Sequence, residues 1–419
     1  MKVFKFGGAS VKDAEGVKNA AKIISNYQHK NLVVVISAMG KTTNALERLT
    51  DAFFYKKENP ATVLEEIKKY HFDILEHLFP NKNHSIYNDL NNAFVELDWA
   101  IEGIPEYTYD QEYDQIVSVG EIISTKIVSA YLTEIGIKNM WKDARDIIRT
   151  DNNYRSGNVD WNLTEELSKK IFLKPEKNIF ITQGFIGGTS ENFTTTLGRE
   201  GSDYSAAIFA FTLNAESVTI WKDVQGVLNA DPKWFDETQK IEHLSYQDAI
   251  ELAYYGATVI HPKTIKPLQN KKIPLYVKSF IAPENEGTII NNLQTSLPIP
   301  SFIFKVNQIL ISISPKDFSF IAEENLSAIF KLFADHGLTI NVMQNSAISF
   351  SVCLDNDEKK IPALIRLLQK EFRVLYNDKL ELITIRYYDQ ATIERVCVNK
   401  KILLEHKSRY TVQLVVKNL

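Results

Sequence analysis

The chain has 419 residues, of which 44% are hydrophobic and 24% charged, with a formal net charge of -4 and a pI near 6.1. This balance argues against a general nucleic-acid or membrane-surface binder, and the length suits two to three domains around a large core. No apolar run reaches the roughly 18 residues of a membrane span and no signal peptide is visible, so a cytoplasmic protein is expected.

The chain opens on Lys2-Val-Phe-Lys-Phe-Gly-Gly-Ala-Ser10, a short alternating strand ended by Gly7-Gly8. Lys5 shares a face with Val3, opposite Phe4 and Phe6. If both faces are covered, Lys5 loses water, which is costly unless an anion meets it. Two glycines also let backbone N–H groups approach a phosphate closely. The alternative is an edge-strand lysine in solvent followed by an ordinary turn. Residues 13–28 read as a helix with Val17, Ala20, Ala21 and Ile24 inward. Leu32–Ile36 is a continuous apolar run, the mark of a parallel strand buried on both faces. It ends in the small polar loop Ser37–Thr43, at the strand edge where open α/β sheets place ligands.

Residues 44–101 read as mostly helical, and residues 110–134 contain a helix with Val119, Ile123, Ile127 and Tyr131 spaced by four. Glu121 falls near the expected start of that stripe, where it serves either the helix dipole or a ligand. A strand near 139–143, a polar loop at 150–160, a helix at 164–173 and a strand at 178–184 follow. Thr194–Tyr204 is then a second Gly loop entering a helix at 204–213, and it carries Arg199 and Asp203. Arginine offers a bidentate clamp for carboxylate or phosphate, whereas Asp203 reads equally well as an N-cap. Residues 217–224 form a strand, Ser245 with Asp248 a capping pair, His261-Pro262 a helix start with a structural histidine, and 273–279 a strand.

Beyond a Pro-, Asn- and Gly-bearing boundary at 281–301 the pattern changes. Strands at 309–314, 338–343, 347–354 and 380–388 with helices at 323–336 and 359–371 read as a βαββαβ module, and 402–406 with 410–416 as a hairpin. Cys353 and Cys397 match neither a disulfide framework nor a zinc spacing, so buried free thiols are expected.

Lys5-Phe-Gly-Gly-Ala-Ser10, Ser118-Val-Gly-Glu121, Thr195–Asp203, Trp221–Gly226 and Tyr255–Pro262 together resemble the aspartate kinase family. Each motif alone is weak, but their order and spacing are specific. The resemblance covers about residues 2–292, and the C-terminal part looks like the ACT regulatory modules of the same enzymes. It implies a three-layered α/β/α amino-acid-kinase-like domain with a mainly parallel sheet over 1–292. It further implies α+β ferredoxin-like ACT modules at 300–378 and, in partial form, at 379–419.

The activity so implied is transfer of phosphate from ATP, with Mg²⁺, to the β-carboxylate of L-aspartate, the first step towards lysine, threonine and methionine. Lys5 and Asp203 would be catalytic. Ser37, Thr43, Glu121, Arg199 and Ser202 would hold aspartate, with Glu121 on its ammonium and Arg199 on its α-carboxylate. Gly7, Gly8, Ser10, Lys222, Asp223, Leu228, Lys233 and Thr258 would hold the nucleotide, and no protein metal ligands are expected. A homodimer through the ACT modules is implied, with no nucleic-acid or membrane partner. Departures from the family pattern are Ala9, Glu200 (for a common Gly), Lys222, Leu228, Lys233 and Thr258. The competing readings are a kinase of another small carboxylate and a catalytically silent amino-acid-sensing regulator.

Overall fold

The computed structural model describes residues 1–27, 31–174, 178–235, 237–257, 260–293, 299–317 and 319–419. The chain divides into two compact units. The first comprises residues 1–227, 240–250 and 259–295, and the second residues 228–239, 251–258 and 296–419.

The first unit is built on an eight-stranded sheet. Its spatial order is His243–Ser245, Thr288–Asn291, Leu275–Ser279, Ser217–Lys222, Lys2–Phe6, Leu32–Ile36, Ile179–Gln183 and Asn139–Lys142. Every pairing is parallel except that of Leu275–Ser279 with Thr288–Asn291. Lys2–Phe6 lies centrally, with Lys5 opposite Val35 on one side and Ile220 on the other. All five residues of Leu32–Ile36 are fully buried, as a two-faced apolar run requires. Phe4 and Phe6 pack into the core with Val17, Ala21 and Ile24 of the helix Ala14–Ser25. Asp13 caps that helix by accepting from the Gly16 N–H at 2.8 Å.

The helices Thr42–Tyr55, Pro60–Leu78, Ile86–Ala100 and Tyr109–Glu134 complete that face. Tyr109–Glu134 is apolar and long enough to cross a membrane by composition, but 72% of its most apolar window is buried inside the protein. Its apolar residues serve as core. It starts at Tyr109 behind the Thr108 cap, so Glu121 sits in mid-helix and the helix-dipole reading of that residue is withdrawn. Gly120 lets the helix close on its neighbour, since a Cβ there would lie 2.9 Å from Leu46 and 3.0 Å from Thr42.

The second unit carries a six-stranded antiparallel sheet in the order Ile340–Asn345, Phe350–Asp355, Ser301–Pro315, Phe372–Arg386, Thr411–Asn418, Lys400–Lys407. The expected hairpin is present as the last two of these strands. The two central strands are each 15 residues long. Phe372–Arg386 follows directly on the helix Ile361–Glu371 and runs unbroken through residue 378, where a module boundary was expected. Ser301–Lys305 pairs with 382–386, whereas 308–313 pairs with 350–355 on the other edge. The sheet is covered by Glu323–Asp335 and Ile361–Glu371 in one half and by Gln390–Val396 in the other. Cys353 is buried and its thiol is pushed up to about 12 by burial, while Cys397 is only half-buried; both are free thiols.

Candidate active site

Parallel strands end together, so the loops after Lys2–Phe6, Leu32–Ile36, Ile179–Gln183 and Ser217–Lys222 meet at one edge of the first unit. A cavity of about 630 Å³ opens there, of a size suited to a small ligand. Lys5, Gly8, Ser37, Thr43, Glu121, Arg199, Ser202, Asp203 and Lys222 all line it.

Lys5 is buried and its Nζ lies 2.6 Å from Oδ1 of Asp203. The edge-strand-in-solvent reading is thereby excluded. Asp203 comes from the helix Gly201–Thr212, which packs against the central strands. It is the third residue of that helix and not its N-cap, which is Glu200. Burial alone would raise the Asp203 carboxyl, but Lys5 and Lys222 outweigh it and hold it below the ordinary carboxylate range. The Lys222 Nζ stands 3.7 Å from Oδ2. One carboxylate thus holds two ammonium groups side by side at the strand ends, a pattern suited to a mobile polyanion.

The Gly loop is built by close backbone approach. A Cβ on Gly8 would lie 2.7 Å from the Ala38 carbonyl and 2.8 Å from that of Gly40. The Gly40 N–H donates to the Gly8 carbonyl at 3.0 Å, so the two loops are zipped together. Ser124 donates to the Ser37 carbonyl at 2.7 Å, fixing the second loop to the long helix. Thr43 lies in the first turn of Thr42–Tyr55.

Glu121 is 3% exposed. Burial pushes its carboxyl up to about 8, opposed by the Ala38 N–H and by the Lys5 charge. Its Oε2 has no hydrogen-bond partner among the described residues. A buried acceptor facing a cavity without a partner is costly, and a ligand cation or N–H would satisfy it. On the same cavity Arg199 is exposed and makes no ion pair among the described residues, between Gly198 at φ +78 and Glu200 at φ +53. Glu200 therefore holds the left-handed backbone that a glycine adopts freely.

Other expected residues lie elsewhere. Gly7 and Ser10 are not among the lining residues; Ser10 is buried and donates to the Trp221 carbonyl at 3.4 Å. Asp223 is exposed and does not line the cavity. Leu228 and Lys233 belong to the second unit, and Thr258 lies outside the described residues. His261 caps Pro262–Lys271 by accepting from the Lys263 N–H at 3.2 Å, a structural role. Among the described residues no group of three or more His, Cys, Asp or Glu is placed to hold a metal ion. Sequence reasoning missed Arg155, Glu47 and Tyr113 on the cavity wall; none sits in a motif, and only the polar loop 150–160 hinted at the first.

Comparison with known proteins fits this geometry. The profile of the amino acid kinase family matches residues 1–279. The lysine-sensitive aspartokinase 3 of Escherichia coli is 31% identical over 360 residues, covering 84% of this chain and 78% of that protein. A chloroplastic bifunctional aspartokinase/homoserine dehydrogenase 2 of Arabidopsis thaliana is 31% identical over 383 residues, of which the chain spans 88% of its own length but 42% of the relative's. The crystal structure of E. coli aspartokinase III in complex with aspartate and ADP superposes with a TM-score of 0.83 at 28% identity, covering 99% of this chain and 96% of that one. The chain belongs to the amino acid kinase family and, within it, to the aspartokinases.

Proposed function

We propose that this chain transfers the γ-phosphoryl group of ATP to the β-carboxylate of L-aspartate, giving 4-phospho-L-aspartate and ADP. The observation that carries the reading is the charge layout of one cavity: the Lys5–Asp203–Lys222 cluster, the Glu121 carboxyl with its unpartnered Oε2 and the uncommitted Arg199. The similar E. coli structure with aspartate and ADP supports the same pair of ligands.

The acceptor is already a carboxylate, so no base is needed to create the nucleophile. A β-carboxylate oxygen attacks the γ-phosphorus, the bond to the bridging oxygen breaks, and ADP leaves with the electron pair. Catalysis then consists of positioning and charge neutralisation. Lys5 and Lys222 would bear the charge in transit, Asp203 would hold both in place, and the zipped Gly8 and Gly40 backbones would seat the phosphates. Glu121 would take the substrate ammonium, Arg199 its α-carboxylate, and Ser37, Thr43 and Ser202 the remaining carboxylate oxygens. Mg²⁺ would accompany ATP on its phosphates, where it would neutralise their charge.

We assign the second unit to effector control and to pairing of two copies, a reading supported by the ACT resemblance. The two free thiols support a reducing cytoplasm. ATP turnover with aspartate, glutamate and acetylglutamate as separate acceptors, with and without lysine or threonine, tests the activity. Aspartate-dependent ADP release is expected, and its absence would overturn the assignment. Light scattering on the full chain tests the dimer.

A further inference from the structure

Arg155 lines the same cavity, and no motif predicts it. It sits in the 150–160 loop at φ +61, a left-handed conformation that a β-carbon disfavours. The loop does not depend on its side chain. Asp114 accepts the Arg155 backbone N–H at 2.8 Å and the Thr196 N–H at 2.9 Å, and Gly157 donates to the Thr196 carbonyl at 2.9 Å. These bonds lash the loop to the strand Thr194–Thr196 that leads into Gly198-Arg199.

The guanidinium, in contrast, is held loosely. It lies 4.2 Å from the Tyr113 ring centroid, and its carboxylate neighbours are Glu47 at 3.5 Å and Asp110 at 3.6 Å. Both distances exceed good charge-assisted hydrogen bonds, so much of the donor fork is unspent. An oriented, half-exposed cation with spare donors on a ligand cavity is equipped to bind an anion.

Taking the proposed activity as given, the cavity's charges assign places to the substrate. The reacting carboxylate must face the Lys5–Lys222 cluster, and the ammonium must face Glu121. The remaining carboxylate falls to the other cations on the wall, which are Arg199 and Arg155. We propose that Arg155 is a specificity-determining residue that shares the non-reacting carboxylate of the amino-acid substrate with Arg199. Its stacking on Tyr113 sets the plane of the fork, and Glu47 and Asp110 hold it until substrate replaces them.

The test compares the full-length wild type with Arg155→Gly, whose backbone suits φ +61 and keeps the Asp114 bond. Steady-state kinetics are measured at saturating Mg-ATP with aspartate, and β-alanine, which lacks the non-reacting carboxylate, serves as a competitive inhibitor. The expected result is an aspartate KM raised about 10- to 100-fold with kcat within about threefold. The β-alanine inhibition constant should stay within about twofold, since a merely structural lesion would weaken both ligands alike. An unchanged aspartate KM, or parallel weakening of β-alanine, overturns the inference while leaving the activity standing. Absence of aspartate turnover in the wild type overturns both. Should Arg155→Gly not fold, Arg155→Met carries the same comparison.

Discussion

The buried carboxyl of Glu121 makes a prediction that can be worked through. With its pKa near 8 in the free protein, about one molecule in eleven carries the charge at pH 7 and about one in a hundred at pH 6. Only the ionised form attracts an ammonium group. At saturating Mg-ATP, kcat/KM for aspartate should rise about ninefold from pH 6 to 7, about fivefold from 7 to 8 and less than twofold from 8 to 9. Glu121→Gln should abolish that slope and raise the aspartate KM about a hundredfold at pH 8, as expected for a lost buried charge pair.

The same carboxyl bears on stability with the opposite sign. Its folded pKa lies above the unfolded value of 4.5, so the native state binds more protons between 4.5 and about 8. Its unfavourable contribution is absent below 4.5 and fully developed above pH 8, where it is on the order of 5 kcal/mol. Ligand-free Glu121→Gln should therefore melt higher than wild type at pH 8 and close to it at pH 4.5, by calorimetry on both proteins. A flat pH profile in the wild type, or an unaltered KM in the variant, would refute the reasoning.

Lys5→Ala removes one partner of a buried ion pair and leaves Asp203 with Lys222 at 3.7 Å. It should lower kcat about 10²- to 10³-fold with smaller effects on KM, and destabilise the protein by about 3 kcal/mol in urea unfolding. Gly8→Ala would drive a methyl group against the Ala38 and Gly40 carbonyls. The loops must part, so the ATP KM should rise at least about tenfold in steady-state kinetics, with aspartate binding weakened as well because Ser37 and Thr43 flank the displaced Ala38–Gly40 segment. Glu200→Gly relieves a left-handed backbone at φ +53 and should raise stability by about 1 kcal/mol in urea unfolding.

Much of the first unit was legible because its signals are local. Leu32–Ile36 is apolar throughout since both faces are covered, and Asp13, Ser245 and His261 mark helix starts with side chains that do cap. The misplacements have physical causes. Asp203 looked like an N-cap because the helix begins two residues earlier behind Glu200, whose left-handed backbone no cap preference announces. Glu121 looked terminal because the helix before it is buried nearly all round and so lacks a stripe. Residue 378 reads as the end of a module, yet Lys379 at φ +53 and Asn307 at φ +53 belong to two long strands whose pairing shifts register between Lys305 and Leu310. Arg155 was invisible because what orients it, Tyr113 and Asp114, lies far away in sequence.

Those two long strands carry a consequence for how the chain is made. Ser301–Lys305 finds its sheet partner only at 382–386, and the strand Thr411–Asn418 then adds to the latter. During synthesis the first strand leaves the ribosome with its hydrogen-bonding edge bare while about eighty further residues are added, at rates of about 5–20 residues per second. It must wait several seconds, and a bare apolar strand is prone to pair with the wrong neighbour. The exposed bulge at Asn307, with Val306 and Asn307 open to solvent, interrupts that waiting strand in mid-length and shortens the flat edge that another chain could capture.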